Sequence, residues 1–243
     1  MKPEVLVFDG LEALSLSAAE RLGRMAREAV RERGRFSLAL SGGHTPRRLY
    51  VLLAEGGAGE LPWDRIHLFW GDERFVPPSD PASNFGMVRE ALLERIPIPP
   101  GNLHPVPVGL GSPAEAAASY EKELRAFFAD EGEPVFDLVL LGLGDEGHTA
   151  SLFPGSPALA EREAWVAAAE AAPGIIPRSR ITLTLRGLSA ARAIWFLVAG
   201  AEKAPVVRIL LDGSESEAAQ LPAGRVRAAG PVAWFLDRAA RGR

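Results

Sequence analysis

The sequence predicts an α/β fold in which a mostly parallel central sheet lies between helices on both faces. Short apolar runs alternate with amphipathic stretches along nearly the whole chain, a pattern typical of strands that alternate with helices. Residues 136–141 are apolar except for Asp137, as expected for a strand that is buried on both faces. Because no repeat, charge block or long linker interrupts this alternation, we expect residues 1–243 to form a single domain.

Local signals support the predicted elements, and the first helix illustrates them. Apolar residues recur at helical spacing through residues 17–33, and Gly34 suits the position that follows a helix end. Ser17 and Glu20 match the spacing of a capping box. Together the elements predict a Rossmann-like three-layer sandwich. The predicted strands are residues 5–8, 36–40, 66–70, 136–141, 181–185, 193–198 and 232–236. The predicted helices are residues 17–33, 46–53, 84–96, 113–129 and 202–211, with a polar loop at 76–83 and a Pro-rich loop at 97–107.

The composition excludes several classes of function. The chain has 27 Lys and Arg against 31 Asp and Glu, whereas domains that bind nucleic acid usually carry a basic surplus. Cysteine is absent, which excludes disulfides, thiolate catalysis and cysteine-ligated zinc. No apolar run approaches the roughly 18 residues of a membrane span, and we expect no targeting segment. We therefore expect a cytoplasmic monomer or small homo-oligomer whose partner is a small molecule, not nucleic acid or a membrane.

The first candidate segment joins the strand at 36–40 to the next helix. Gly42 and Gly43 allow backbone amides to approach an anion closely, and Ser41 and Thr45 add hydroxyl groups. The start of the following helix supplies free N–H groups and a favourable dipole for phosphate. The alternative is a tight turn that Thr45 caps.

The second candidate segment follows the strand at 66–70. Arg74 can clamp a phosphate with two hydrogen bonds, while Asp72 can orient a base or bind sugar hydroxyls. Glu73 is expected to form a surface ion pair. Ser83 and Asn84 can cap the next helix.

The third candidate segment is a glycine-rich loop after the strand at 136–141. Gly142, Gly144 and Gly147 allow the backbone to wrap around a ligand, and His148 follows directly. A histidine in such a polar loop can act as a general base, and the carboxylate of Glu146 can hold its tautomer. The alternative is a turn histidine that bonds to the backbone.

The other histidines suggest no metal centre. His67 lies within a predicted strand and is expected to pack, while His104 and His44 are assigned no role. The four histidines show no spacing such as His-Glu-x-x-His, so no metal or other cofactor is expected.

The fourth candidate segment places a lysine at the start of a predicted helix. Lys203 is one of three lysines in a chain with 24 arginines. A cation at a helix N-terminus is unfavourable, and an anionic ligand would remove that conflict. The alternative is an ordinary solvated surface lysine.

Together these segments resemble the 6-phosphogluconolactonase family, which is related to the glucosamine-6-phosphate deaminases. The resemblance runs over most of the chain. The matching stretches are Ser41-Gly42-Gly43 with Thr45-Pro46, Gly71-Asp72-Glu73-Arg74 with Val76-Pro77 and Ser83-Asn84, residues 147–155, and residues 180–184.

The resemblance implies hydrolysis of 6-phosphoglucono-δ-lactone to 6-phosphogluconate. It implies His148 as the general base, with Glu146 and Asp72 as further catalytic residues, and no metal. The substrate- and phosphate-binding residues that it implies are Ser41, Gly42, Gly43, Thr45, Arg74, Asn84, Gly144, Arg180 and Lys203.

Two departures from the related deaminases favour the lactonase. Phe153 replaces a glutamate that the deaminases use in ring opening, and Arg74 stands where they usually have tyrosine. Within the lactonase pattern, Glu146 replaces the usual aspartate two residues before the histidine. A deaminase or isomerase, and a non-catalytic sugar-phosphate sensor, are the alternatives. A test for ammonia release from glucosamine 6-phosphate distinguishes the deaminase. Sensors usually carry an added helix-turn-helix, for which we expect no room in this chain.

Overall fold

Strands and helices alternate along the chain in a computed structural model that describes residues 3–242. Within that range the strands are β1 (Glu4–Phe8), β2 (Phe36–Leu40), β3 (Ile66–Trp70), β4 (Asp72–Arg74), β5 (Leu103–His104), β6 (Leu138–Leu141), β7 (Val166–Glu170), β8 (Ser179–Leu183), β9 (Ile194–Val198) and β10 (Val232–Asp237). The α-helices are α1 (Leu11–Arg33), α2 (His44–Ala54), α3 (Asn84–Ala91), α4 (Pro113–Phe127), α5 (Pro157–Ala160), α6 (Leu185–Leu188), α7 (Ala204–Asp212), α8 (Glu215–Gln220) and α9 (Arg238–Arg241). Short 3-10 helices cover Trp63–Arg65, Leu93–Arg95, Pro100–Asn102, Ala201–Lys203 and Ala223–Arg225.

The central sheet is parallel throughout the described part of the chain. Its strand order is β1-β10-β9-β6-β2-β3-β5, and every neighbouring pair is parallel. All residues of β2, β6 and β9 are buried. Because successive side chains of a strand point to opposite faces, both faces of the sheet must be covered. This confirms the predicted fold class.

A second, antiparallel sheet was not predicted. It contains β4, β8 and β7 in that order within residues 3–242. The residues of β4 were predicted as a loop, because a three-residue charged strand shows no apolar alternation. The β7 segment contains three consecutive alanines, which are depleted in strands. Pairing with β8, rather than local propensity, therefore makes both segments extended.

The first helix begins earlier than predicted. Gly10 occupies the N-cap position of α1, so Ser17 lies inside the helix and the predicted capping box is wrong. The buried face of the helix already includes Leu14, one turn before Ser17. Gly34 is confirmed as the C-cap, with a φ of 77° that favours glycine.

The helix predicted at residues 84–96 is also shorter in the structure. α3 ends before Leu92, whose φ of −133° and ψ of −62° are not helical. Pro97 then disfavours a helical conformation at Ile96, which is extended. The other predicted helices agree with α2, α4 and α7 to within two residues at each end.

The buried apolar side chains of residues 3–242 include members of both sheets in one cluster. Leu138 of β6 and Ile181 of β8 both belong to it. Over the same residues, no helix is long and apolar enough to cross a membrane.

His67 packs within the sheet layer, as expected. Its Nδ1 lies 3.1 Å from Nε2 of His104, whose Nδ1 lies 2.7 Å from Oε1 of Glu123. The His104 ring stacks on Phe69 with 4.2 Å between centroids. Burial, with smaller contributions from His104 and Arg35, lowers the pKa of His67 to about 4.

We expect His67 to make the fold sensitive to acid. A histidine in the unfolded chain has a pKa of about 6.5, so the unfolded chain binds the proton more readily than the folded chain. This contribution to stability is complete above about pH 6.5 and is lost as the pH falls towards about 4. When the pH falls from about 7.5 to about 4.5, the free energy of unfolding should decrease more for the unmodified chain than for His67→Gln. The expected difference is about 2 kcal/mol, a value reduced to allow for the partial exposure of His67.

Urea unfolding at both pH values measures this difference. The exposed His44 supplies the control, since His44→Gln should keep the pH dependence of the unmodified chain. Equal losses in His67→Gln and the unmodified chain would show that His67 does not cause the acid sensitivity.

Candidate active site

Four loops converge at one edge of the central sheet. They follow β2, β3, β6 and β9, which lie side by side in the order β9-β6-β2-β3. After β2, the next strand of the central sheet, β3, lies on one side of β2, whereas the later strand β6 lies on its other side. The direction in which strands are added to the sheet therefore reverses between β2 and β6. Open parallel sheets bind ligands at such a switch, outside the carboxyl ends of the strands.

A cleft of about 350 Å³ lies at this edge. Glu146 and Arg180 are the two predicted site residues that do not line it. The predicted site residues that do line it are Ser41, Gly42, Gly43, Thr45, Asp72, Arg74, Asn84, Gly144, His148 and Lys203.

The turn between β2 and α2 presents a helix N-terminus to the cleft. Gly43 is the N-cap of α2, its φ is 101°, and no side chain caps the helix. The first amides of an α-helix have no partner within the helix. Pro46 has no N–H and the Arg47 N–H donates to the Gly43 carbonyl at 3.2 Å, so the amides of His44 and Thr45 are the ones available to a ligand. A Cβ on Gly42 would lie 1.9 Å from Oδ1 of Asn84, which explains why this position needs glycine.

Tyr50 holds the backbone of Ser41 in place. The buried hydroxyl accepts a hydrogen bond from the Ser41 N–H at 2.9 Å and donates to the Ser41 carbonyl at 2.7 Å. Burial raises the pKa of Tyr50, which keeps this hydroxyl protonated. The Ser41 amide is therefore already occupied. The Ser41 hydroxyl donates to the Gly42 carbonyl at 3.2 Å, a long contact that a stronger acceptor on a ligand can replace. The sequence did not point to Tyr50, nine positions away.

Asp72 is a buried carboxylate at the cleft. Its Oδ2 accepts a hydrogen bond of 2.7 Å from the Ser151 hydroxyl. Asn84 donates to the Asp72 carbonyl at 2.8 Å, while its distance to Asp72 Oδ1 is 3.4 Å. Oδ1 therefore keeps acceptor capacity for a ligand.

Glu73 is not the surface residue that we expected. It is 2% exposed, and burial raises its pKa. Its carboxylate accepts backbone N–H groups of Arg74, Asn84 and Phe85 at 2.6–2.7 Å. Ser83 is the N-cap of α3, as expected, and accepts from the Gly86 N–H at 3.0 Å. Glu73 and Ser83 together satisfy the amides at the start of α3.

Arg74 and Arg180 are cross-strand neighbours in the antiparallel β4–β8 pair. Arg74 donates to the carbonyl of Ala82, but the buried Nε atoms of both arginines have no hydrogen-bond partner. Burial, followed by the charge of Arg74, lowers the pKa of Arg180. Two adjacent guanidinium groups with unused donors provide an electrostatic environment suited to an anion.

His148 presents one edge of its ring to the protein and leaves the other available. Its Nδ1 lies against Gly144, where a Cβ would approach that atom to 2.0 Å. Glu146 Oε1 is 3.0 Å from Nδ1, but the contact is not aligned as a hydrogen bond. The ring also packs on Phe153, with 4.6 Å between centroids. Nε2 is therefore the nitrogen that can meet a ligand in the cleft.

The amides of the glycine-rich loop are only partly available. Gly144 N–H donates to the His148 carbonyl at 2.9 Å, and Gly147 N–H donates to the Gly144 carbonyl at 3.0 Å. Among the other residues of this loop, Leu143 also lines the cleft.

Lys203 already has an anionic partner. Its Nζ lies 2.6 Å from Oδ1 of Asp145, and the lysine side chain is 21% exposed. Asp145 was not among the residues predicted for the site. In the described part of the chain, His, Asp and Glu side chains form no group that could hold a metal ion.

Similarity to known proteins extends over almost the whole chain. Residues 9–234 match the family described as glucosamine-6-phosphate isomerases/6-phosphogluconolactonase. A 6-phosphogluconolactonase from Synechocystis is 41% identical over 244 residues, covering 99% of this chain and 98% of that protein.

Solved structures agree with this relationship. A 6-phosphogluconolactonase from Trypanosoma cruzi superposes with a TM-score of 0.87 at 32% identity, covering 100% of this chain and 97% of that one. A monomeric glucosamine-6-phosphate deaminase has a TM-score of 0.80 at 22% identity over 98% of this chain and 99% of that one, which shows a common fold. From its full-length match and its shared architecture, the chain belongs to the glucosamine-6-phosphate isomerase/6-phosphogluconolactonase family.

Proposed function

We propose that this chain hydrolyses 6-phosphoglucono-δ-lactone to 6-phosphogluconate, the second step of the oxidative pentose phosphate pathway. One observation carries the proposal: the His148 imidazole lies in the same switch-point cleft as the uncapped N-terminus of α2. A histidine base and an anion-binding terminus suit a phosphorylated substrate. The full-length relatives that bear the name 6-phosphogluconolactonase support the same reaction.

The phosphate is held at the α2 end of the cleft. The amides that follow Gly43, together with the hydroxyls of Ser41 and Thr45, donate to phosphate oxygens. Arg74 and Lys203 supply counter-charge from either side, and Arg180 reinforces Arg74 from the next strand. Binding energy from this distal group orients the lactone ring against the base.

His148 acts as the general base. Its Nε2 removes a proton from water as the water oxygen attacks the lactone carbonyl, which gives a tetrahedral oxyanion. The oxyanion accepts hydrogen bonds from loop amides other than those of Gly144 and Gly147, which are already engaged. Leu143, which lines the cleft, is the candidate donor. When the carbonyl re-forms, the bond to the ring oxygen breaks and protonated His148 returns its proton to that oxygen.

The two acidic residues have different tasks. Glu146, beside Nδ1 of His148, favours the Nδ1–H tautomer and stabilises the positive charge that forms on the ring. Asp72 accepts hydrogen bonds from hydroxyls of the sugar ring through Oδ1, since Oδ2 is engaged by Ser151. Asn84 fixes the strand that carries Asp72. Gly144 gives the His148 ring the space that it occupies.

The proposal also covers the domain organisation, cellular location and oligomeric state that the sequence predicts. Residues 1–243 act as one domain, in the cytoplasm, as a monomer or a small homo-oligomer. The ligand is a small phosphorylated lactone and not a nucleic acid, in keeping with the net charge of −4.

Loss of His148 should affect turnover more than binding. General acid–base catalysis contributes roughly 10²–10⁴-fold, so His148→Ala should lower kcat by about that factor. The measurement is hydrolysis of freshly generated 6-phosphoglucono-δ-lactone, with 6-phosphogluconate binding followed by calorimetry. Binding should stay within about 3-fold of the unmodified chain, because the phosphate contacts do not involve His148. A kcat near that of the unmodified chain would contradict the role, and ammonia release from glucosamine 6-phosphate would favour the deaminase instead.

Loss of Lys203 should weaken recognition of the phosphate specifically. A hydrogen bond to a charged group is worth about 1.5–3 kcal/mol, so Lys203→Ala should raise KM for the phosphorylated lactone by about 10-fold or more. The KM for unphosphorylated glucono-δ-lactone should not change. Lys122→Ala is the matched control, because Lys122 is exposed on α4 and does not line the cleft. An equal rise in KM for both lactones would remove Lys203 from the phosphate site.

A further inference from the structure

A strained turn directs one side chain of the glycine-rich loop into the protein. Leu152 N–H donates to the Thr149 carbonyl at 2.9 Å, which closes the turn over Ala150 and Ser151. Among residues 3–242, Ala150 is the one non-glycine residue with a positive φ, at 47°. A residue with a Cβ disfavours this conformation, and such strain is concentrated at functional sites.

The turn places Ser151 against Asp72. Ser151 is 1% exposed, and its hydroxyl donates to Asp72 Oδ2 at 2.7 Å. Its own N–H donates to Oγ1 of Thr182 at 3.1 Å, and Thr182 is the residue paired with Asp72 across β4 and β8. Ser151 is therefore held relative to the strand pair that carries the carboxylate.

Other groups near Asp72 constrain its side chain less closely. Asn84 of α3 lies 3.4 Å from Oδ1, beyond a good hydrogen bond. The Asp72 carboxylate also interacts electrostatically with Glu73 in β4, Arg180 in β8 and Tyr50 in α2. These interactions are not hydrogen bonds and do not fix the orientation of the carboxylate. Within the described residues, Ser151 makes the one short side-chain hydrogen bond to the Asp72 carboxylate.

We propose that Ser151 is a positioning residue, which orients the Asp72 carboxylate so that Oδ1 meets the hydroxyls of the sugar ring. This inference rests on the proposed function, in which Asp72 binds those hydroxyls. The strain at Ala150 is the structural cost of turning Ser151 inward. Ser151 itself does not touch the substrate.

Removal of the Ser151 hydroxyl should weaken substrate binding. We expect Ser151→Ala to raise KM for 6-phosphoglucono-δ-lactone by about 10-fold while kcat stays within about 2-fold, since uniform binding is lost. Ser156→Ala is the matched control, because the buried Ser156 hydroxyl has no hydrogen-bond partner. That control should leave both constants unchanged. An unchanged KM in Ser151→Ala, or a fall in kcat and melting temperature without a rise in KM, would overturn the proposal.

A double-mutant cycle shows whether Ser151 acts through Asp72. Asp72→Ala should raise KM, and Ser151→Ala combined with it should raise KM no further, whereas independent effects would multiply. The same cycle is measured by calorimetry as the Kd for 6-phosphogluconate. If the unmodified chain failed to hydrolyse the lactone, the proposed function would be wrong. The Kd values for 6-phosphogluconate would still decide the role of Ser151. No further rise in Kd for the double variant would support a role through Asp72, and multiplied effects would contradict it.

Discussion

The candidate site depends on the parallel pairing of β9, β6, β2 and β3. Parallel strands all end at the same edge of a sheet, so four loops that are far apart in the chain meet there. The reversal of strand order between β2 and β6 then separates two of these loops enough to leave a cleft. The His148 loop lies on one side of that cleft and the α2 terminus on the other. The topology itself thus separates the proposed general base from the proposed anion-binding terminus.

The short strand β4 divides three consecutive charged residues between two tasks. Successive side chains of a strand point to opposite sides, so Asp72 and Arg74 face the cleft while Glu73 points away from it. Glu73 then caps α3, which keeps Asn84 against Gly42. If residues 72–74 were an irregular loop, nothing would impose this alternation. The antiparallel pairing with β8 therefore helps to build the site as well as the core.

Most of the central sheet could be predicted from the sequence, because its strands are short apolar runs between helical patterns. The capping signal at Ser17 failed because the apolar face of α1 continues upstream to Leu14, and burial of that face outweighs a local cap. The segments that line the cleft could be singled out in the sequence because glycines and charged residues follow strand ends. Contacts such as Tyr50 with Ser41, or Ser151 with Asp72, could not be predicted. They depend on the register of distant strands and on a turn conformation that alanine disfavours.

The ion pair between Lys203 and Asp145 does not oppose phosphate binding at the proposed site. Asp145 is 69% exposed, and an ion pair near the surface contributes only about 0–1 kcal/mol. In the proposed complex, the phosphate is also held by Arg74 and by the amides of α2. It offers Lys203 a stronger partner, since each charged hydrogen bond is worth about 1.5–3 kcal/mol. Lys203 makes this ion pair from a position that lines the cleft. In the proposed complex, Lys203 therefore exchanges Asp145 for phosphate with little movement of its side chain. A side chain that already lines the cleft loses less entropy on binding than one that must be brought there.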